Sequence, residues 1–209
     1  MSPRRSASQV VLTRQAILAE AVNLSSTEGL ESLSIAQIAR AVEMSKSGVV
    51  GHFGTKESLQ LAVVNRAVTV FQHEVIAPAA SVPPGLLRLR ALTANWVSYL
   101  DREVFPGGCF FTRAAGEVDD KKGPVRAAVV TANRAWKATL RRQISIAVAA
   151  GDLPPDTDPH QLVFDLVGVM LSLNQSIQLD RDSAAVDRAR QSRAHLLSTQ
   201  PGRRVSTSG

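Results

Sequence analysis

The stretch SLSIAQIARAVEMSKSGVVGHFGTKESLQLAV, residues 32–63, decides the fold. Ser34 and Gln37 stand three apart, with Ile35, Ile38, Ala39 and Val42 facing inward around them. That is the pattern of a reciprocal cap opening a short helix. Glu43 and Met44 make a turn, and Ser45 caps a second short helix that ends near His52. Phe53 and Gly54 break it, and Thr55 opens a longer helix reaching about Ile76. Two short helices joined by a tight turn outline a helix-turn-helix.

Working outward, residues 13–27 form an upstream helix with Thr13 as N-cap and Ile17, Ala21 and Leu24 on one face. Gly29 stops it, and Leu30 folds back onto it. Downstream, residues 77–85 carry three prolines. Further helices are expected at about 84–103, 109–117, 124–150, 158–179 and 183–197. Pro124 sits at a first helical position, Gly151 is a stop, and Asp158 is a start. No segment alternates with period two. The expected fold is all-α, about nine helices: an N-terminal three-helix helix-turn-helix domain and a C-terminal helical bundle. The expected boundaries are a flexible arm at 1–12, the reader at 13–60, a ligand-binding and dimerisation domain at 61–197, and a flexible tail at 198–209.

The chain has 209 residues and a formal charge of +6, which favours a polyanionic partner. Residues 1–66 hold seven basic and five acidic side chains, so net charge alone does not locate that partner. Cys109 is the single cysteine, which excludes an intramolecular disulfide and fits a reducing compartment. The opening MSPRRSASQV lacks the apolar core of a secretory signal. No apolar run is read as long enough to span a bilayer, since the stretch around 162–173 is short and holds Asp165. The expected location is cytoplasmic, with no membrane partner.

The second short helix suits a DNA major groove. Lys46, Ser47, Gly48, Val49, Val50 and Gly51 give a slim rod that lets backbone approach closely. Ser45, Lys46, Ser47 and His52 offer hydrogen bonds to phosphates or base edges, and Val49 and Val50 offer methyl groups to thymine. Lys56 reaches a phosphate, as do Thr13 and Ser34 with help from their helix N-termini. Gln37 completes the candidate DNA-binding set. Phe53 is read as core.

This run resembles the DNA-binding domain of the tetracycline-repressor family. The resemblance lies in Ile38–Ala39, Ser45, Lys46, His52–Phe53, Lys56, Glu57 and Leu59, within roughly residues 13–64. Val50 departs from it, standing where an aromatic, often tyrosine, is common. GGCFF at 107–111 with PVR at 124–126 looks like a C-terminal domain type seen with such readers. The resemblance implies a DNA-binding regulator whose remaining two thirds binds an effector and dimerises.

In that remainder, Trp96, Tyr99, Phe110, Phe111, Asn133, Trp136, Met170 and Asn174 are the candidate ligand-binding residues. Apolar walls with one or two amides suit a small, mainly hydrophobic ligand, and the same residues also suit a plain core. Cys109 is read as a packed hydrophobe. Leu162, Val163, Leu166, Val167, Met170, Leu171 and Leu173 make one helix apolar nearly all round. Such a helix is buried, either in a homodimer seam through the last two helices or at the centre of the monomer.

The expected function is a sequence-specific transcriptional regulator, a repressor released from a palindromic double-stranded operator by a small-molecule effector. The alternatives are an activator or a non-specific DNA-binding protein without a ligand. His52, His73, His160 and His195 are scattered, no nucleophile or nucleotide motif is present, and no cofactor, metal or catalytic residue is expected.

Overall fold

The computed structural model describes residues 7–198. It is all-helical, with α1 Ala7–Glu28, α2 Ile35–Ala41, α3 Lys46–Phe53, α4 Lys56–Phe71, α5 Leu86–Asp101, α6 Phe110–Val118, α7 Pro124–Ala149, α8 Pro159–Gln175 and α9 Ala185–Leu196. A π-helical turn, Gln72–Ile76, continues α4, and another, Ser176–Asp180, continues α8. The expected tail beyond Ser198 and the first six residues of the expected arm lie outside the described residues.

Local chemistry accounts for most boundaries. Ser34 Oγ accepts from the Gln37 amide at 3.2 Å while Gln37 Oε1 accepts from the Ser34 amide at 3.0 Å, closing the reciprocal cap that opens α2. Thr55 Oγ1 accepts from the Ser58 amide at 3.1 Å, and Asp158 Oδ1 accepts from the His160 amide at 2.7 Å. Gly29, at φ +101°, turns the chain out of α1 in a conformation that favours glycine.

α1 departs from the expectation. It begins six residues before Thr13, whose hydroxyl donates to the Gln9 carbonyl inside the helix and caps nothing. Val10, Val11 and Leu12 are exposed there, so no inward apolar periodicity announced this turn. The π turn also lengthens α8 into a helical run, Pro159–Asp180, of 22 residues and mean hydropathy 1.4. Contrary to expectation, that run is long and apolar enough to cross a bilayer, by length and composition only.

The described chain forms two compact units. The first holds the chain up to Gln72 together with Glu103–Asn133; the second holds His73–Arg102 together with the chain from Arg134 onward. Within the first, α1 packs on α2, α4 and α6, and α3 packs on α2 and α4, around fully buried Ile17, Leu30, Ile38, Val49 and Leu59. Within the second, α5, α8 and α9 pack on one another around Leu89, Leu92, Leu140, Ile144 and Leu166. The buried Gln143 carbonyl accepts from the Gly85 amide at 3.0 Å, so an α7 side chain caps the start of α5.

Candidate nucleic-acid interface

α3 is eight residues long and held at both ends. Ser45 Oγ accepts from the Gly48 amide at 3.1 Å, and Gly54, at φ +73°, donates its amide to the Val50 carbonyl at 2.7 Å. From α1, Arg14 stacks its guanidinium 4.2 Å from the Phe53 ring centre and donates to the His52 carbonyl. A terminal carbonyl of α3 thus finds a charged donor in a neighbouring helix. Arg14 was not among the expected site residues. Its position three residues before fully buried Ile17 was the available signal.

With its inner side fixed, α3 turns Lys46, Ser47, Val50 and Gly51 outward. Positions i, i+1, i+4 and i+5 share one helical face. Nothing lies within 4 Å of where a Gly51 Cβ would be, so backbone is open to approach there. Val50 is 40% exposed and offers a methyl face. Ser45 stands exposed at the N-terminal end, its Oγ 3.1 Å from that of Ser47. This face combines a cation, hydroxyls, a small apolar patch and bare backbone, and carries no carboxylate of its own.

Val49 requires a correction. It is 0% exposed and belongs to the core, so it cannot meet a thymine methyl group. Adjacent valines on a helix point about 100° apart, and packing took the first of them. Thr13 also loses its expected helix-end role, since α1 starts upstream of it. Ser34 and Gln37 are engaged with each other, and Gln37 Nε2 also donates to Glu28 Oε2 at 2.7 Å. Lys56 donates to the Glu31 carbonyl at 2.6 Å and is otherwise exposed. His52 is half-buried, its ring 6.3 Å from that of Phe53.

The candidate ligand-binding residues fall into both units. In the first, Phe110 meets Phe111 edge-on at 5.3 Å and Phe105 at 6.3 Å, while Phe111 meets Phe71 at 6.2 Å. Asn133 is half-buried in the same unit. In the second, Trp96 and Trp136 meet edge-to-face at 5.2 Å, Tyr99 and Met170 are buried, and Asn174 is half-buried. Burial pushes the Cys109 thiol pKa up, away from the reactive thiolate.

A capped, slim second helix with an open polar face, set on a three-helix support, defines a helix-turn-helix DNA-binding protein. Residues 17–63 match the family model for bacterial regulatory proteins of the tetR family, and residues 85–193 match that of the tetracyclin repressor-like C-terminal domain. The chain belongs to the tetracycline-repressor family, and is a transcriptional regulator of that family. It is 25% identical over 179 residues to the HTH-type transcriptional repressor ComR of Escherichia coli (strain K12), covering 82% of this chain and 84% of that one. A TetR transcriptional regulator from Chloroflexus aurantiacus J-10-FL shares the fold with a TM-score of 0.81 and 24% identity, over 91% of this chain and 94% of that one. AibR, solved in complex with isovaleryl coenzyme A and operator DNA, does so with a TM-score of 0.76 and 23% identity, over 90% and 100%.

Proposed function

We propose that this protein is a repressor that binds a palindromic operator as a homodimer and leaves it when a small, mainly apolar effector binds. The open face of α3 carries the reading. Lys46, Ser47, Val50 and Gly51 enter the major groove, Ser45 and His52 flank them, and Lys56 reaches a phosphate. Ser34, Gln37 and Thr13 support that surface from outside the groove. In this proposal reader and effector domain divide near residue 60, a reading supported by the matched N-terminal segment, which ends at residue 63.

The last two helices supply the dimer seam in this proposal. Phe164 is 73% exposed on α8, Leu171 is also exposed there, and a groove of about 770 Å³ runs beside Phe164 between α8 and α9. An apolar face of this kind favours a second copy of the chain, because two-fold pairing presents two recognition helices to one duplex. The opposite face of α8 is already buried in its own unit through Leu162, Val163, Leu166, Met170 and Leu173. That arrangement suits a protein seam better than a bilayer and accords with a cytoplasmic regulator.

Trp96, Tyr99, Trp136, Met170 and Asn174 are the first candidates to line the effector site, offering apolar walls with one amide. AibR joins an effector and an operator on the same fold, which supports one chain doing both.

Selection from a random duplex library, followed by a gel-shift salt series on the winner and on scrambled DNA, tests the reading. An inverted-repeat winner, bound at least about 1,000-fold more tightly than scrambled DNA, is expected. Equal affinity for both duplexes would overturn it.

A further inference from the structure

In the second unit, α5 and α9 are stitched together by arginines that reach past one another. Arg193 of α9 donates through Nη1 to the Arg90 carbonyl of α5 at 3.1 Å and to Thr93 Oγ1 at 3.4 Å. Arg90 of α5 donates through Nη2 to the Leu197 carbonyl at the end of α9 at 2.9 Å. One turn back along α9, Arg190 lies 3.3 Å from the Asp101 carboxylate and 3.1 Å from that of Asp187. The two ends of this seam therefore differ in charge balance. Both carboxylates meet Arg190, and among the described residues Arg90 and Arg193 meet none. Their acceptors are two carbonyls and a hydroxyl, which carry no net charge.

Arg193 is half-buried, and its Nε is sealed from solvent without an acceptor. A buried donor of a charged group is costly to leave open. Burial, then the charges of Arg90 and Arg190, push the Arg193 pKa down, so the three guanidiniums stand within electrostatic reach of one another. Like charges gathered in this way attract an anion. The place is distinct from the groove beside α8, which α9 lines through Gln191, Ser192 and His195; Arg190, Arg193 and Leu197 meet α5 instead.

We propose that Arg90 and Arg193, with Arg190 beside them, form a site for a dianionic phosphate group, free or carried by a small molecule. A guanidinium presents N–H donors as a fork that holds two oxygens of one oxyanion. Two forks arriving from different helices call for at least three oxygens around one centre. A phosphate group offers them, and a carboxylate offers two. The open Arg193 Nε becomes one of the donors. A small anion reaches a half-buried guanidinium between two helices more readily than the backbone of a duplex does.

The test uses the full chain in phosphate-free chloride buffer, titrated calorimetrically with inorganic phosphate and, separately, with phenyl phosphate. One saturable site per protomer is expected, with Kd below about 1 mM for the tighter of the two. Tighter binding of phenyl phosphate assigns the site to a phosphorylated small molecule, and tighter binding of the free ion assigns it to phosphate itself; both orders uphold it. Arg193→Gln and Arg90→Gln each weaken binding about tenfold or more. Arg193→Lys keeps the charge, loses the fork and weakens binding about fivefold. Arg188→Gln removes an equal charge from the same helix, at an arginine paired with Asp182, and leaves binding within about twofold. Phosphate also raises the melting temperature of the unaltered protein and leaves that of Arg193→Gln in place. No saturable binding by the unaltered protein, full affinity in both glutamine variants, an equal loss in Arg188→Gln, or acetate bound as tightly as phosphate would overturn the proposal. So would a tenfold loss of affinity for a random duplex in Arg193→Gln, which would give the cluster to a nucleic-acid backbone.

Discussion

α3 and α8 are held in opposite ways. α3 is eight residues of mostly small side chains, set by a serine cap, a glycine stop and an arginine borrowed from α1. α8 is seventeen residues, set by five buried apolar side chains. Each leaves a face unspent: hydroxyls, a cation and bare backbone on α3, aromatic and aliphatic area on α8. The chemistry of an unspent face names the partner that would cover it. A polyanion suits the first and an apolar surface the second.

The sharpest test of the contrast uses two residues of α8. Leu166 is fully buried, and Leu166→Ala removes packing that cannot re-form around a rigid neighbourhood. A loss of about 3 kcal/mol in unfolding free energy, read from urea melts, is expected. Phe164, two positions earlier and outward, should behave differently. Phe164→Asp leaves the monomer's melt within about 0.5 kcal/mol, because a surface change away from packed features does little. It weakens the proposed dimer by about 2 kcal/mol or more, read by sedimentation equilibrium. Equal effects of the two changes on folding would erase the distinction between the faces.

Beyond α1, the helix starts marked by a capping side chain, and the glycine stop after α1, were legible because each is a local chemical event. Ser34 with Gln37, Ser45, Thr55, Gly29 and Asp158 all act where their types and spacings place them. What escaped was set by tertiary contact. Val49 and Val50 are identical side chains, and only packing on α2 and α4 decides which is buried. The start of α1 lay hidden because Val10, Val11 and Leu12 face outward and lack inward periodicity. Arg14 and Glu117 bind backbone groups far along the chain, so no window of sequence contains both partners.

For α3 the contrast predicts binding changes without stability changes. Lys46 is exposed, and Lys46→Ala should leave the melt unaltered. Operator affinity should fall about fivefold at moderate salt. The slope of log affinity against log salt should shrink by about one, as for one lost phosphate contact. An unchanged slope would place Lys46 away from the backbone of the duplex.

The smallest effect probes whether polar ties matter in the second unit as they do around α3. There Arg102 Nη2 lies 2.6 Å from Glu74 Oε2, and His73 Nδ1 lies 3.0 Å from Glu74 Oε1. The Arg102 hydrogen bond, then that of His73, hold the Glu74 carboxyl below the ordinary glutamate value of 4.5. A carboxyl depressed in the folded state contributes stability that is complete above its unfolded value. That contribution drains away as pH falls below about 4.5 and through the folded value. Arg102 and His73 are largely exposed, so the whole effect stays under about 1 kcal/mol. Arg102→Gln should lower stability slightly at pH 7 and leave it almost unaltered at pH 3, when urea midpoints are compared at both. A loss at pH 7 as large as that of Leu166→Ala would mean that polar ties, and not apolar burial, hold the second unit together.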